Sequence, residues 1–181
     1  AEAVETAIKL GRKWGYEKKG IPDGRAKVIV CLNNFHGRTI TIISASNDPV
    51  ATEHFGPFTP GIVPIPYNDL EALEAAMGPD VAAFLVEPIQ GEAGVNVPDA
   101  DYLQKAHAIC KEHNVLLMAD EVQTGIARTG RLLASCGNCD CPEKNCSGTP
   151  DVKPDVLILG KAISGGVLPV SAVLANDPVM E

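Results

Sequence analysis

The sequence predicts an α/β fold: a mostly parallel sheet with helices on both faces. Three observations predict it. Apolar runs of strand length alternate with helical patterns along the chain. Those runs are apolar throughout instead of alternating with polar residues, as strands covered on both sides are. Three of the runs also end on an ionisable residue, where ligand sites form beyond the carboxyl ends of an open parallel sheet.

The elements follow in order. Val4, Ala7, Ile8, Leu10 and Trp14 recur at helical spacing and predict an amphipathic first helix, broken by Gly20, Pro22 and Gly24. "AKVIVCL" (26–32) is a β-branched run and predicts a buried strand, followed by the loop "NNFHGRT". Pro49, Pro57, Pro60 and Pro64 mark a long irregular stretch, and the prolines of "IVPIP" demote it to an edge strand or a loop. Asn68 with Glu71 resembles a capping box opening the helix "DLEALEAAM", which Gly78-Pro79 ends. "VAAFLVE" (81–87) is the next strand, and Pro98-Asp99 opens the helix "DYLQKAHAICKEH". "VLLMAD" (115–120), "DVLILG" and "PVSAVLA" complete the strands. The chain shows no internal repeat and no low-complexity segment.

The chain has 181 residues, enough for one sizeable core or for part of a larger domain. With 45% hydrophobic and 21% charged residues it has the composition of a soluble globular protein. A net charge of −8 and the absence of a Lys/Arg run argue against nucleic acid as a partner. No apolar run reaches membrane-spanning length, which argues against a membrane partner. "AEAVETAIKL" reads as helix from its first residues and the sequence stops at "NDPVME", so a fragment is expected.

The candidate chemistry sits at three strand ends: Glu87, Asp120-Glu121 and Lys161. A charge after a buried strand can simply mark the return to solvent. Three together, with glycine loops after two, predict one shared pocket. A lysine near apolar walls tends toward its neutral amine, a nucleophile that forms Schiff bases with aldehydes. A buried Asp120 requires a cationic partner, and a protonated pyridine nitrogen is one. Lysine and aspartate on neighbouring strand ends are the pairing that pyridoxal 5′-phosphate (PLP) needs.

"LLMADEVQTGIARTGRLLA" and "DVLILGKAISGGVLPVSAVLANDPVM" resemble the class III PLP-dependent aminotransferases of fold type I. "FGPFTPG", "PYNDL" and "VEPIQGEAGV" resemble, within that class, the ornithine aminotransferases. The resemblance covers nearly the whole chain apart from 135–153. It implies that residues 1–181 are a fragment of the large cofactor-binding domain, lacking an N-terminal segment, its phosphate loop and the C-terminal small domain. It implies transfer of the δ-amino group of L-ornithine to 2-oxoglutarate, giving glutamate 5-semialdehyde and glutamate. The isolated fragment is expected to be inactive.

The resemblance also assigns roles. Lys161 would carry the cofactor as a Schiff base and move the proton. Asp120 would pair with the pyridinium nitrogen, Gln123 would hydrogen-bond the phenolic oxygen, and Val122 and Phe35 would pack on the two ring faces. Ala1 would contribute one backbone amide to the cofactor. Arg38 would hold a substrate carboxylate. Glu92 would be the switch glutamate, pairing with an arginine outside this chain. Glu87 and His36 would support the pocket from behind, His36 standing where some ornithine aminotransferases have Trp. A homodimer with shared active sites is implied.

Six cysteines are present. Cys31 and Cys110 sit singly in apolar contexts and read as reduced core residues. Cys136, Cys139, Cys141 and Cys146 are spaced C-x2-C-x-C-x4-C. They could form disulfides, act as a redox switch, bind a metal or do nothing specific. The spacing lacks the paired form of a zinc ribbon, so no metal is expected. Nothing points to secretion, and a reducing compartment is expected, the cytoplasm or alternatively the mitochondrial matrix. The alternatives within the class are acetylornithine and 4-aminobutyrate aminotransferases. A non-catalytic nucleotide- or metal-binding module is the alternative outside it, weakened because no G-x-G-x-x-G turn follows the first strand.

Overall fold

The computed structural model describes residues 1–135 and 152–181. The cysteine cluster Cys136, Cys139, Cys141 and Cys146 lies outside the described residues. Six strands form one sheet: β1 (Lys27–Cys31), β2 (Ile62–Ile65), β3 (Val81–Val86), β4 (Leu116–Asp120), β5 (Val156–Leu159) and β6 (Ala172–Ala175). Their order is β2-β1-β3-β4-β5-β6. The first five run parallel, and β6 pairs antiparallel with β5. The apolar strands do report a mostly parallel sheet, with β6 the exception.

Both sheet faces are buried, and residue alternation divides the core. Val28, Val30, Leu85, Met118 and Ile158 face helix α1 (Glu2–Glu17), which buries Val4 and Ile8 against them. Full burial of each such side chain contributes about 1.5–3 kcal/mol. The helix also approaches closely, because a side chain at Gly11 would meet Met118 Cε at 2.3 Å and one at Gly15 would meet Ala82 Cβ at 2.9 Å. Ile29, Cys31, Phe84, Val86 and Leu117 point the other way, onto α4 (Leu70–Ala76) and α5 (Tyr102–Glu112). Lys19, just past α1, ties β3 to the end of α5 by donating to the carbonyls of Val81 (2.8 Å) and His113 (2.9 Å).

Two local readings change. Asn68 is not the cap of α4. Asp69 is, its side chain accepting from the Ala72 amide at 2.8 Å. Asn68 instead turns the chain with φ 61° and accepts from the Asp99 amide. The stretch read as irregular also contains two single-turn helices, α2 (Ile40–Ile43) and α3 (Pro49–Thr52), the latter capped by Asp48. Short terminal α6 (Asp177–Met180) follows β6. The proline-bearing β2 is an edge strand, as its composition requires. No helix among the described residues is long and apolar enough to cross a membrane.

Candidate active site

A cavity of about 860 Å³ opens beyond the carboxyl ends of β1, β3, β4 and β5. The strand order makes this a switch point, since the chain leaves β1 for β2 on one side and then returns to β3 on the other. Glu87, Asp120 and Lys161 all line the cavity, so the three strand ends do converge. Ala1, at the N-terminus of α1, lines it too.

Lys161 follows β5 after the single residue Gly160 and opens a 3-10 turn, Lys161–Ser164. Its backbone is left-handed, φ 45°, an uncommon conformation for a residue with a side chain and one that clusters at functional positions. Gly160 permits the approach of the next strand end, for a Cβ there would meet Val122 Cγ1 at 3.0 Å. Gly165 and Gly166 take φ of 59° and 76°, which glycine alone adopts freely. The expected apolar enclosure is absent: the Lys161 side chain is 49% exposed, and its Nζ lies 3.8 Å from Glu92 Oε1.

Asp120 is 4% exposed and has a partner within the chain. His36 Nδ1 lies 2.6 Å from its Oδ2, and the Val122 amide donates to its Oδ1 at 3.0 Å. Burial alone would push the His36 imidazole down. The hydrogen bond and charge of Asp120, with the charge of Glu87, more than reverse this, so its pKa is raised. Glu87 accepts from the Phe35 amide at 3.1 Å. Burial pushes its carboxyl up to about 7, against the opposing charge of His36.

Phe35, after β1, and Val122, after β4, both line the cavity. Gln123 donates to Glu92 Oε1 at 2.9 Å. That contact needs Gly91, where a Cβ would fall 1.4 Å from Gln123 Oε1. Glu92 is carried on a closed loop, whose base is the Gln90–Asn96 backbone pair. Arg38 is not among the residues lining this cavity. Its guanidinium sits 5.9 Å over the Phe35 ring, beside a smaller cleft of about 210 Å³ formed with Ile40, Val50 and Phe55.

Several supports of the site carry no sequence signature. Glu121, next to Asp120 in the chain, faces away from the cavity and accepts from the Thr124 hydroxyl, the Ala134 amide (3.1 Å), and the Ser135 amide and hydroxyl (both 2.7 Å). Strand alternation turns it to that side. Asn34 places Phe35 and His36 by donating to the carbonyls of Cys31 (2.6 Å) and Ala45 (2.7 Å). The Tyr67 hydroxyl lies 3.1 and 3.0 Å from the carbonyl oxygens of Glu87 and Pro88 and anchors the end of β3. Among the described residues no group of three His, Cys, Asp or Glu could hold a metal ion. Cys31 and Cys110 are buried and free.

The family model "Aminotransferase class-III" matches residues 1–181. The ornithine aminotransferase of Plasmodium yoelii yoelii is 58% identical over 181 residues, which is 99% of this chain and 41% of that protein. The mitochondrial ornithine aminotransferase of Drosophila ananassae is 57% identical over 180 residues, 99% of this chain and 39% of that one. A solved ornithine aminotransferase from Toxoplasma gondii, described as having partial occupancy of PLP at its active site, superposes with a TM-score of 0.91 at 53% identity, covering 99% of this chain and 40% of the other. The chain thus spans about two-fifths of the length of the curated relatives it matches. A site built on four parallel strand ends, a family match from end to end and relatives above half identity lead to one conclusion: this chain belongs to the class III aminotransferases.

Proposed function

We propose that the protein containing this chain is a PLP-dependent aminotransferase that moves the δ-amino group of L-ornithine to 2-oxoglutarate, giving glutamate 5-semialdehyde and glutamate. The observation that carries the reading is the pairing of Lys161 and Asp120 at neighbouring strand ends in one cavity. The names of its relatives support the substrate.

The residues present fit the cofactor. Lys161 supplies an accessible amine for an aldehyde, and Asp120 a buried carboxylate for a cationic ring nitrogen. Gln123 supplies a donor beside them, and Val122 and Phe35 supply apolar walls for a flat ring. The N-terminus of α1, with its free amides and positive dipole end, favours an anionic group. When bound, PLP supplies an electron sink for the carbanion left by proton loss from the amino donor. In this reading Lys161 Nζ, once neutral, takes that proton from the reacting carbon. Asp120 holds the ring nitrogen's proton in place. Arg38 is the candidate for a substrate carboxylate, and Glu92 for a second charged group of the substrate or a competing arginine.

The 181 residues are, in this reading, the cofactor-binding part of the large domain. Residues outside them would complete the phosphate site, the small domain and a homodimer with shared active sites; the two-fifths coverage of relatives supports the presence of further chain, and the homodimer rests on the family resemblance. The free Cys31 and Cys110 suit a reducing compartment, the cytoplasm or the mitochondrial matrix.

The test uses the full-length protein with a Lys161→Ala control. PLP is added, the visible spectrum recorded, the sample reduced with borohydride and the peptides mapped by mass spectrometry. A pyridoxyl group on Lys161, absent from the control, is expected, with ornithine the preferred donor over N-acetylornithine and 4-aminobutyrate. An unmodified Lys161 in folded protein overturns the cofactor reading. Preference for another donor overturns the substrate alone.

A further inference from the structure

The side-chain amide of Gln123 has a donating end and an accepting end, and its neighbours decide which goes where. Nε2 donates to Glu92 Oε1 at 2.9 Å. Oε1 is seated on Gly91, where an added Cβ would fall 1.4 Å from it. A carboxylate only accepts, so a flipped amide would set acceptor against acceptor. One Nε2 hydrogen is thus held by Glu92. The second has no partner among the described residues, and Gln123 lines the cavity. Glu92 is placed by the loop that carries it. Gln90 and Asn96 close the base of that loop through backbone bonds of 3.1 and 2.9 Å. The Gln90 side chain, 1% exposed, donates to the Leu32 carbonyl at 2.8 Å and ties the base to the chain leaving β1. The same Glu92 oxygen lies 3.8 Å from Lys161 Nζ, so it meets both the amide and the lysine.

We propose that Glu92 is a positioning residue acting through Gln123: its carboxylate fixes the amide with nitrogen toward the cavity, so that Gln123 meets the phenolic oxygen of the cofactor as a donor. This inference rests on the cofactor reading above and is separate from any pairing of Glu92 with an arginine outside this chain. Without Glu92 the amide is free to turn. Its own oxygen then faces the cavity part of the time, and a long side chain must be ordered anew for each ligand. Glu92 also acts by its charge alone. A carboxylate beside the site repels an anionic oxygen, so removing it on that ground would favour a ligand that carries one. The two actions therefore have opposite signs.

The experiment compares two ligands of the cofactor-free full-length protein: PLP, and the PLP analogue that carries hydrogen in place of the phenolic hydroxyl. The quantity read is the ratio of their dissociation constants in native protein, Glu92→Ala, Gln123→Ala and the double variant. Effects on folding, on the phosphate or on the Lys161 amine fall on both ligands alike and cancel in the ratio. Glu92→Ala is expected to lower the preference for PLP about 3- to 10-fold, the scale of ordering one long side chain. With Gln123→Ala already made, Glu92→Ala is expected to leave the preference level or raise it. A preference that rises in Glu92→Ala alone, or falls by less than about twofold, overturns the proposal. An equal fall in the Gln123→Ala background overturns it too. Glu92 is half exposed, so the unfolding midpoint of Glu92→Ala is expected to match the native one. If that variant does not fold, Glu92→Gln decides, because a neutral amide there can face either end of Gln123. A fall of about twofold or more then supports the proposal, and a smaller one overturns it. If native protein leaves Lys161 unmodified by PLP and borohydride, the cofactor reading itself fails and takes this inference with it.

Discussion

Replacing Glu121 by glutamine tests how the loop behind the cavity is held. The side chain is 1% exposed, and each oxygen serves two donors: the Thr124 hydroxyl and Ala134 amide on Oε2, the Ser135 amide and hydroxyl on Oε1. In either orientation glutamine turns an NH2 group toward one of these pairs. A hydroxyl can rotate and accept from it; a backbone amide cannot. One buried N–H is left facing another donor, which costs about 1–3 kcal/mol. The remaining bonds also lose their charge assistance, roughly half their strength. Relief of a buried charge offsets part of this. The net expectation for Glu121→Gln is a destabilisation of about 2–4 kcal/mol. The assay is the denaturant midpoint of the full-length protein, with exposed Glu112→Gln as the reference. Protease cleavage within 122–135 should rise in parallel. If Glu121→Gln falls within about 0.5 kcal/mol of the reference, the ordinary range for surface changes, the four-donor account of this carboxylate is wrong.

Three further outcomes are expected. Gly91→Ala pushes Gln123 off its 2.9 Å bond to Glu92, weakening PLP binding several-fold; the double variant Gly91→Ala/Gln123→Ala should be no worse than Gln123→Ala, and additive losses would show that the two do not touch. Glu87 keeps its proton to about pH 7 when folded but only to about 4.5 when unfolded, so the folded state binds more protons in between and stability falls as pH rises across that window, on the order of 3 kcal/mol at full amplitude. His36, with its pKa raised, adds stability that is likewise lost on raising the pH. Glu87→Gln should flatten the profile between pH 5 and 7 in urea melts, and an unchanged slope would remove Glu87 as the cause. Lys19→Met breaks two bonds to backbone carbonyls and should lower stability by about 1–2 kcal/mol, read from the same melts; no loss would mean that the clamp between β3 and α5 is ornamental.

What was legible in the sequence follows from what is local. The apolar runs at β1, β3, β4 and β5 declare strands buried on both faces, and an ionisable residue after each of the last three declares where the chain exits. Lys161 and Asp120 were therefore placeable before their geometry was known. The His36–Asp120 contact was not, because it joins positions 84 apart through a loop without periodicity. Gly91 looked like any loop glycine; only the packed Gln123 gives it a task. Asn68 and Asp69 are both good caps, and the backbone turn at Asn68 decides between them. Arg38 follows Phe35 closely in sequence, yet adjacency in a loop says nothing about which side of a ring an arginine takes.

The cavity draws its side chains from Phe35, Glu87, Asp120 and Lys161, one stop per parallel strand. Each parallel neighbour is reached only through a long crossover, so no two of these groups meet by local folding. On the ribosome the cavity cannot exist until β5 has emerged and docked on β4. A ligand that bridges Asp120 and Lys161 would therefore bind only chains whose sheet is finished through β5, and by mass action would stabilise those alone. Loading of such a ligand would thus report completed topology, and a chain truncated before Lys161 could be helical and collapsed yet blind to it.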